Sequence, residues 1–558
     1  MFVTVTYKDI RLVGTPPSSI GKFGADTDNW EWPRHTGDFA LFRIYAGPDN
    51  MPAEYSPNNV PYTPKHFLSI SLDGVKEGDF TMVFGFPGRT DQYLPASAVR
   101  QTVEVLNPLK IHVRERVLKI MDSAMRSDVR IKVKYASKQA SIANAWKKWI
   151  GESQGIHAVG ALAKKEAYEA SFNKKVQANK EWKSKYGNVL NDLNAAYAEI
   201  EEYALARDFM AEILGRNSDV IRLSGIVANW DRLLQSQGAE AAAKRMKSDQ
   251  STINAIYKDM DLAVDREIFS VLMELTAEKL NGKFVDPHLK NELGKYSQNA
   301  AQLASVYYTS SILTDSTRFI TLTNTDPAAA LKTLSEDPVY MMFQRLNKTY
   351  QETVISNLGT AQNKINDLMA VYMKAQMEVF PDKRFWPDAN STMRVTYGKV
   401  SGYEARDAVQ YYPKTYLSGV LEKYVPGDYE FDVPEKLLSL SAKKDFGEYA
   451  DETGDVPVCF LGSNHTTGGN SGSPAIDEYG NLVGLNFDRV WEGTMSDLNY
   501  DEKICRNIMV DERYILFIID KYAGAGHLVD EMKLVYPKSK KAKANSMKPV
   551  KMDKTQMN

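Results

Sequence analysis

The sequence predicts a mixed β and α chain in which a long helical domain interrupts two β-rich segments. Two observations carry this expectation. Residues 1–95 and the stretch beyond 395 are rich in Gly, Pro, aromatic and β-branched residues, with short runs such as Phe80-Thr81-Met82-Val83-Phe84, the pattern of antiparallel strands. From about residue 98 to 380 Gly and Pro become scarce, and Ala, Lys, Glu, Gln, Leu and Met dominate. A chain of 558 residues also exceeds what one hydrophobic core supports, so division into domains is expected.

Taken in order, Phe2-Val3-Thr4-Val5-Thr6-Tyr7 reads as a strand with no turn ahead of it. Gly37-Asp38 then leads into Phe39-Ala40-Leu41-Phe42-Arg43-Ile44-Tyr45, where a polar residue enters an alternating apolar strand. These belong to a first β segment, residues 1–97. Residues 98–395 form the helical domain. Within it Val189, Leu190, Leu193, Tyr197 and Ile200 recur at spacings of three and four, the stripe of an amphipathic helix, and Pro327, Pro338 and Pro381 mark breaks. Residues 396–536 form a second β segment, with strand texture to about 490 and a closing helix over Glu512 to Lys521. The basic tail 537–558 reads as solvated and disordered.

Composition excludes more than it selects. A net charge of −2 offers no argument for nucleic acid or an anionic membrane surface. No apolar run approaches the roughly 18–20 residues of a membrane span. No histidine pair has metal-ligand spacing, and neither a metal nor an organic cofactor is implied. The two cysteines, Cys459 and Cys505, leave two readings open: a disulfide or two buried thiols.

The chemistry is concentrated in Gly468-Gly469-Asn470-Ser471-Gly472-Ser473-Pro474. Glycines on both sides of a serine allow backbone angles that present the hydroxyl outward and let N–H groups converge, as an oxyanion site requires. The run Ala475-Ile476 and then Leu482-Val483-Gly484-Leu485 reads as strand, so this is not the strand-to-helix elbow of α/β-hydrolases. Ser471 is the candidate nucleophile, with the N–H groups of Gly469 and Ser471 as oxyanion donors. Asp38 is the candidate acid that orients a histidine base. The only histidine upstream of Asp38 is His35, in a packed Trp-Pro-Arg loop, and His465 shares the nucleophile's own loop. Neither suits the base. The base is expected to be missing, the chain beginning inside the fold.

The spacing Gly-x-Ser-Gly-x-Pro resembles the nucleophile loop of chymotrypsin-like serine proteases. The runs Arg11 to Gly14, Ile20 to Gly24, Asp26-Thr27-Asp28-Asn29-Trp30-Glu31-Trp32-Pro33-Arg34-His35-Thr36-Gly37-Asp38 and Gly85-Phe86-Pro87-Gly88-Arg89-Thr90 resemble the bacterial dipeptidyl-peptidase family of that fold. Asn486-Phe487-Asp488-Arg489-Val490-Trp491-Glu492-Gly493 is similar to its Asp/Glu-specific type. The resemblance spans almost the whole chain and departs from the family at the N-terminus, where the histidine segment and signal peptide are absent.

The resemblance implies a chymotrypsin-like double β-barrel with a large inserted α-helical cap. It implies an exopeptidase that releases dipeptides from oligopeptides with a free N-terminus, exported to the periplasm or cell surface of a Gram-negative bacterium, and a homodimer. It implies that Asn29, Trp30, Asn144 and Asp497 recognise the substrate's amino end, and that Arg489 selects Asp or Glu as its second residue. The competing expectations are an endopeptidase of the same fold, a catalytically inactive peptide-binding protein, and a helical interaction protein with a fused β domain.

Overall fold

The computed structural model describes residues 4–215, 217–280 and 282–538. The chain forms two compact units. Met1–Gln92 joins Pro387–Asn558 in one, and Tyr93–Trp386 makes the other.

The β unit carries β1 (Asp9–Gly14), β2 (Leu41–Ala46), β3 (Val60–Pro61), β4 (Ile70–Ser71), β5 (Phe80–Gly85), β6 (Arg394–Lys399), β7 (Tyr403–Arg406), β8 (Val409–Tyr411), β9 (Lys414–Tyr416), β10 (Pro457–Gly462), β11 (Ser473–Ile476), β12 (Leu482–Arg489), β13 (Asn507–Asp511) and β14 (Leu534–Val535). β1, β2 and β3 form a three-stranded sheet and β7–β8 a hairpin. The main sheet runs β6-β5-β11-β12-β13-β10-β9, with β4 paired to β12 and β14. Val83, Val400, Phe460, Ala475, Val483 and Met509 cluster in one core of this unit. Val458, Cys459, Leu461, Ile508, Val510, Tyr514 and Leu516 belong to another.

Three sequence expectations change here. The first strand begins at Asp9, not in the Phe2–Tyr7 run: Thr4 to Lys8 is irregular, and Phe2 and Val3 lie outside the described residues. The strand starts at Asp9, opposite Tyr45 near the far end of antiparallel β2, because a ladder needs a second strand to take its N–H and C=O groups. Second, the N-terminal β segment divides between two sheets. β5 pairs with β11, next to the nucleophile loop, and with β6, so the sheets do not follow the boundary at residue 97. Third, strand texture between 395 and 490 is interrupted by helices Leu417–Glu422 and Glu435–Lys443, which bury Leu417, Val420 and Leu437. The closing helix begins at Glu512, where Asp511 accepts from the Arg513 amide. Most of the basic tail lies outside the described residues.

In the helical unit Pro327 and Pro338 open helices instead of ending them. Asp-Pro pairs place a capping carboxylate before a proline at the first helical position, at Asp286-Pro287, Asp326-Pro327 and Asp337-Pro338. The cost of burying acids here is met by backbone donors. Fully buried Asp265 accepts from the Asp219 and Val220 amides at 2.6 and 3.2 Å and from the Tyr308 hydroxyl at 2.6 Å, at the start of helix Asp219–Gln237. The stripe Val189, Leu190, Leu193 and Ile200 is buried in helix Val189–Leu214.

Candidate active site

The nucleophile loop is shaped by backbone hydrogen bonds. The Gly88 amide donates to Gly468 O at 2.6 Å, Asn470 and Thr467 bond each other's backbone, and the Gly472 amide donates to Asn486 O at 2.8 Å. Gly469 has φ +103, and a Cβ there would lie 2.3 Å from Phe86 O, so only glycine fits. Ser471 is exposed, and its Oγ donates to Phe487 O at 3.3 Å. The amides of Gly472 and Gly88 are spent on carbonyls. Among the described residues no acceptor takes the Gly469 or Ser471 amide.

Asp38 lies just ahead of β2. A triad acid is expected to be buried, yet Asp38 is exposed, and among the described residues its carboxylate makes no hydrogen bond. Its pKa is raised by the surrounding protein and by Asp488, against the lowering influence of Arg34 and Lys22. Neither nearby histidine is free to act. His35 is buried beside Gly419, and burial drops its pKa to about 3. His465 stacks on Tyr500 with its Nε2 2.8 Å from Ser496 O, and burial lowers its pKa as well.

A cluster of charged residues surrounds Trp30, whose φ of +66 is strained for a bulky residue. The chain ahead of it is fastened by two later residues. Glu430 accepts from the Asp26 and Thr27 amides, and Lys423 pairs with Asp28 at 2.8 Å. Arg489, at the end of β12, is buried, with its Cζ 5.3 Å from the Trp30 ring centre. Arg489 Nη1 donates to Ser496 Oγ at 2.6 Å and to Asp497 Oδ1 at 2.7 Å. The preceding residue points elsewhere. Asp488 accepts from Arg34 Nη1 at 2.7 Å and from the Trp30 amide at 3.4 Å.

The structure therefore gathers Trp30, Arg489 and Asp497, but it sets Asp497 against Arg489. The carboxylate that β12 brings to the Trp30 amide is Asp488. Sequence reasoning missed Asp488 and Arg34, which lie at opposite ends of the chain and become partners only when β12 is placed. The available signal was alternation, which sends consecutive strand residues to opposite faces. Asn144 sits exposed on helix Val129–Ala158 of the helical unit. Cys459 and Cys505 are separate buried free thiols, not a disulfide, and burial pushes each up to about 12.

Known proteins share this architecture. The sequence matches the Peptidase S46 family over residues 1–534. It is 51% identical over 540 residues to the Asp/Glu-specific dipeptidyl-peptidase of Flavobacterium psychrophilum, covering 97% of this chain and 75% of that protein. It is 36% identical over 539 residues to Dipeptidyl-peptidase 7 of Capnocytophaga gingivalis, covering 96% and 74%. The crystal structure of Porphyromonas endodontalis DPP11 in complex with the dipeptide Arg-Glu superposes with a TM-score of 0.82 at 32% identity, covering 95% of this chain and 75% of that one. The chain thus spans about three-quarters of the length of these relatives. A match over almost every residue, with a relative above half identity, makes this protein a member of the Peptidase S46 family.

Proposed function

We propose that the protein is a serine dipeptidyl-peptidase that releases dipeptides from free N-termini and prefers Asp or Glu as the second residue. One observation carries this reading: a buried arginine, Arg489, stands on the strand that the Ser471 hydroxyl touches at Phe487. A cation beside a nucleophile selects an acidic side chain next to the bond under attack. The names of the Flavobacterium relative and of the DPP11 complex with Arg-Glu support the same substrate class.

Ser471 attacks the carbonyl of the second substrate residue, and the Gly469 and Ser471 amides receive the oxyanion. One such donor typically contributes about 2.7–4 kcal/mol. A histidine takes the Ser471 proton and passes it to the leaving amine, with Asp38 holding its tautomer. The burial of His35 and the engagement of His465 with Ser496 O argue against either as that base. Water then releases the dipeptide from the acyl-enzyme.

The substrate's ammonium group is assigned to Asn29, Trp30 and Asp488, with Asp488 in place of Asp497 because Asp488 is the carboxylate that the Trp30 amide meets, whereas Asp497 lies against Arg489. For Asn144 a substrate-binding role rests on the resemblance alone. The finer fold proposal is a pair of barrels. The exposed apolar pairs Ile10–Ile44 and Leu12–Phe42 across β1 and β2 support it, since a closed barrel would bury them. Periplasmic or surface location and a homodimer rest on the resemblance alone.

The test uses full-length protein and Ser471→Ala, with peptides carrying Asp, Glu, Leu or Lys at the second position, free or N-acetylated. Dipeptide release from free acidic substrates, lost in Ser471→Ala and on acetylation, is expected. Cleavage of acetylated peptides would make the protein an endopeptidase.

A further inference from the structure

A guanidinium carries five N–H donors in a fixed planar fork. In Arg489, Nη1 spends both hydrogens, on Ser496 Oγ and Asp497 Oδ1, and Nη2 spends one on Asp497 Oδ2 at 3.5 Å. Among the described residues no acceptor takes Nε–H or the second Nη2 hydrogen. The edge left over is the side-on pair, which matches a carboxylate through two parallel hydrogen bonds.

Asp497 is itself firmly placed. Its carbonyl accepts from the Asp91 amide at 2.7 Å and from Gln92 Nε2 at 2.9 Å. The neighbouring Ser496 carbonyl accepts from the same Gln92 Nε2 at 2.6 Å and lies 2.8 Å from His465 Nε2. The Ser496–Asp497 turn is thus anchored independently of Arg489.

We infer that Asp497 is a resident counter-ion of Arg489: it neutralises and orients the buried guanidinium through one edge, leaving the other edge to the acidic side chain of the substrate. This rests on the proposed pocket role of Arg489. When an acidic substrate binds, one guanidinium faces two carboxylates, while Asp488 is balanced by Arg34. Like-charge repulsion between Asp497 and the substrate acid then offsets part of the attraction to Arg489. Asp497 accordingly weakens acid binding and moderates the enzyme's discrimination between an acid and its uncharged isostere. It is a positioning residue that acts through Arg489.

The experiment is Asp497→Asn in the full-length protein, assayed with paired substrates ending in Glu or in isosteric Gln, with thermal melting to monitor folding. The Glu-to-Gln ratio of kcat/KM is expected to rise by about tenfold, through a lower KM for Glu at unchanged kcat. A merely structural role would move the ratio the other way. An unchanged or lower ratio overturns the inference. If Asp497→Asn does not fold, Asp497→Ser is read by the same ratio. A wild-type ratio near one would instead remove the pocket reading on which the inference depends.

Discussion

Two Arg–Asp pairs, each with a buried arginine, lie close together around Trp30, each closed at 2.7 Å, and they do different work. Arg34 has no complete two-donor edge left: its Nη1 donates to Asp28 O and Asp488, and its Nε to Thr36 Oγ1. It braces an acid against the Trp30 loop. Arg489 keeps one edge of its fork unspent. The sequence order makes the contrast sharper, since Asp488 and Arg489 are neighbours with different partners. With Nε and Nη1 both engaged, Arg34 acts as a strut, whereas the intact Nε–Nη2 edge of Arg489 leaves a place for a carboxylate.

Breaking the strut should give the largest effect. Asp488→Ala is expected to cost free-amine substrates about 2–5 kcal/mol in kcat/KM, because it removes one partner of a buried charge pair. N-acetylated peptides, with no ammonium to lose, should be equally poor substrates for wild type and variant. A free-amine substrate with unchanged kcat/KM would return the role to Asp497.

A smaller effect is expected from Arg34→Lys, which keeps the charge but loses the fork. Donors to Asp28 O and Thr36 Oγ1 disappear, and stability should fall by about 1–3 kcal/mol in denaturant melts. The Glu-to-Gln preference should survive, since Arg489 is untouched. A changed preference would mean that the two pairs act as one unit.

The smallest change lies in the closing helix and serves as a control on burial without a partner. Glu512 is buried beside Asp511, its Oε2 has no hydrogen-bond partner, and burial raises its pKa to about 8. A carboxyl that stays protonated in the fold favours the folded state below its unfolded pKa, and that contribution is lost as pH rises toward 8. Glu512→Gln should therefore flatten the decline in stability between about pH 5 and 8, read from melts across that range. An unaltered slope would show that Glu512 is already ionised in the fold.

How much of this was legible depended on range. The Ser471 loop could be read because glycine, serine and proline act locally, and Gly469 at φ +103 is a local necessity. The stripe from Val189 to Ile200 was legible for the same reason. Strand pairing is non-local, so the placement of β5 beside β11 and the late start of β1 were not visible. In the sequence Pro327 and Pro338 read only as breaks because a proline looks alike at either end of a helix. The capping Asp before each one was the signal that it opens a helix. Asp497 was placed at the amine end by resemblance. No local pattern could reveal that its carboxylate turns toward Arg489.

The central claim is that Arg489 reads an acidic second residue, and the most direct measurement is kcat/KM of wild type and Arg489→Gly on dipeptide substrates ending in Asp, Glu, Leu and Lys, in full-length protein. Wild type should favour Asp and Glu, and Arg489→Gly should lose about 2–5 kcal/mol on those two alone while gaining on Leu. A wild type that favours Leu, or an Arg489→Gly variant that keeps its acidic preference, would contradict the account.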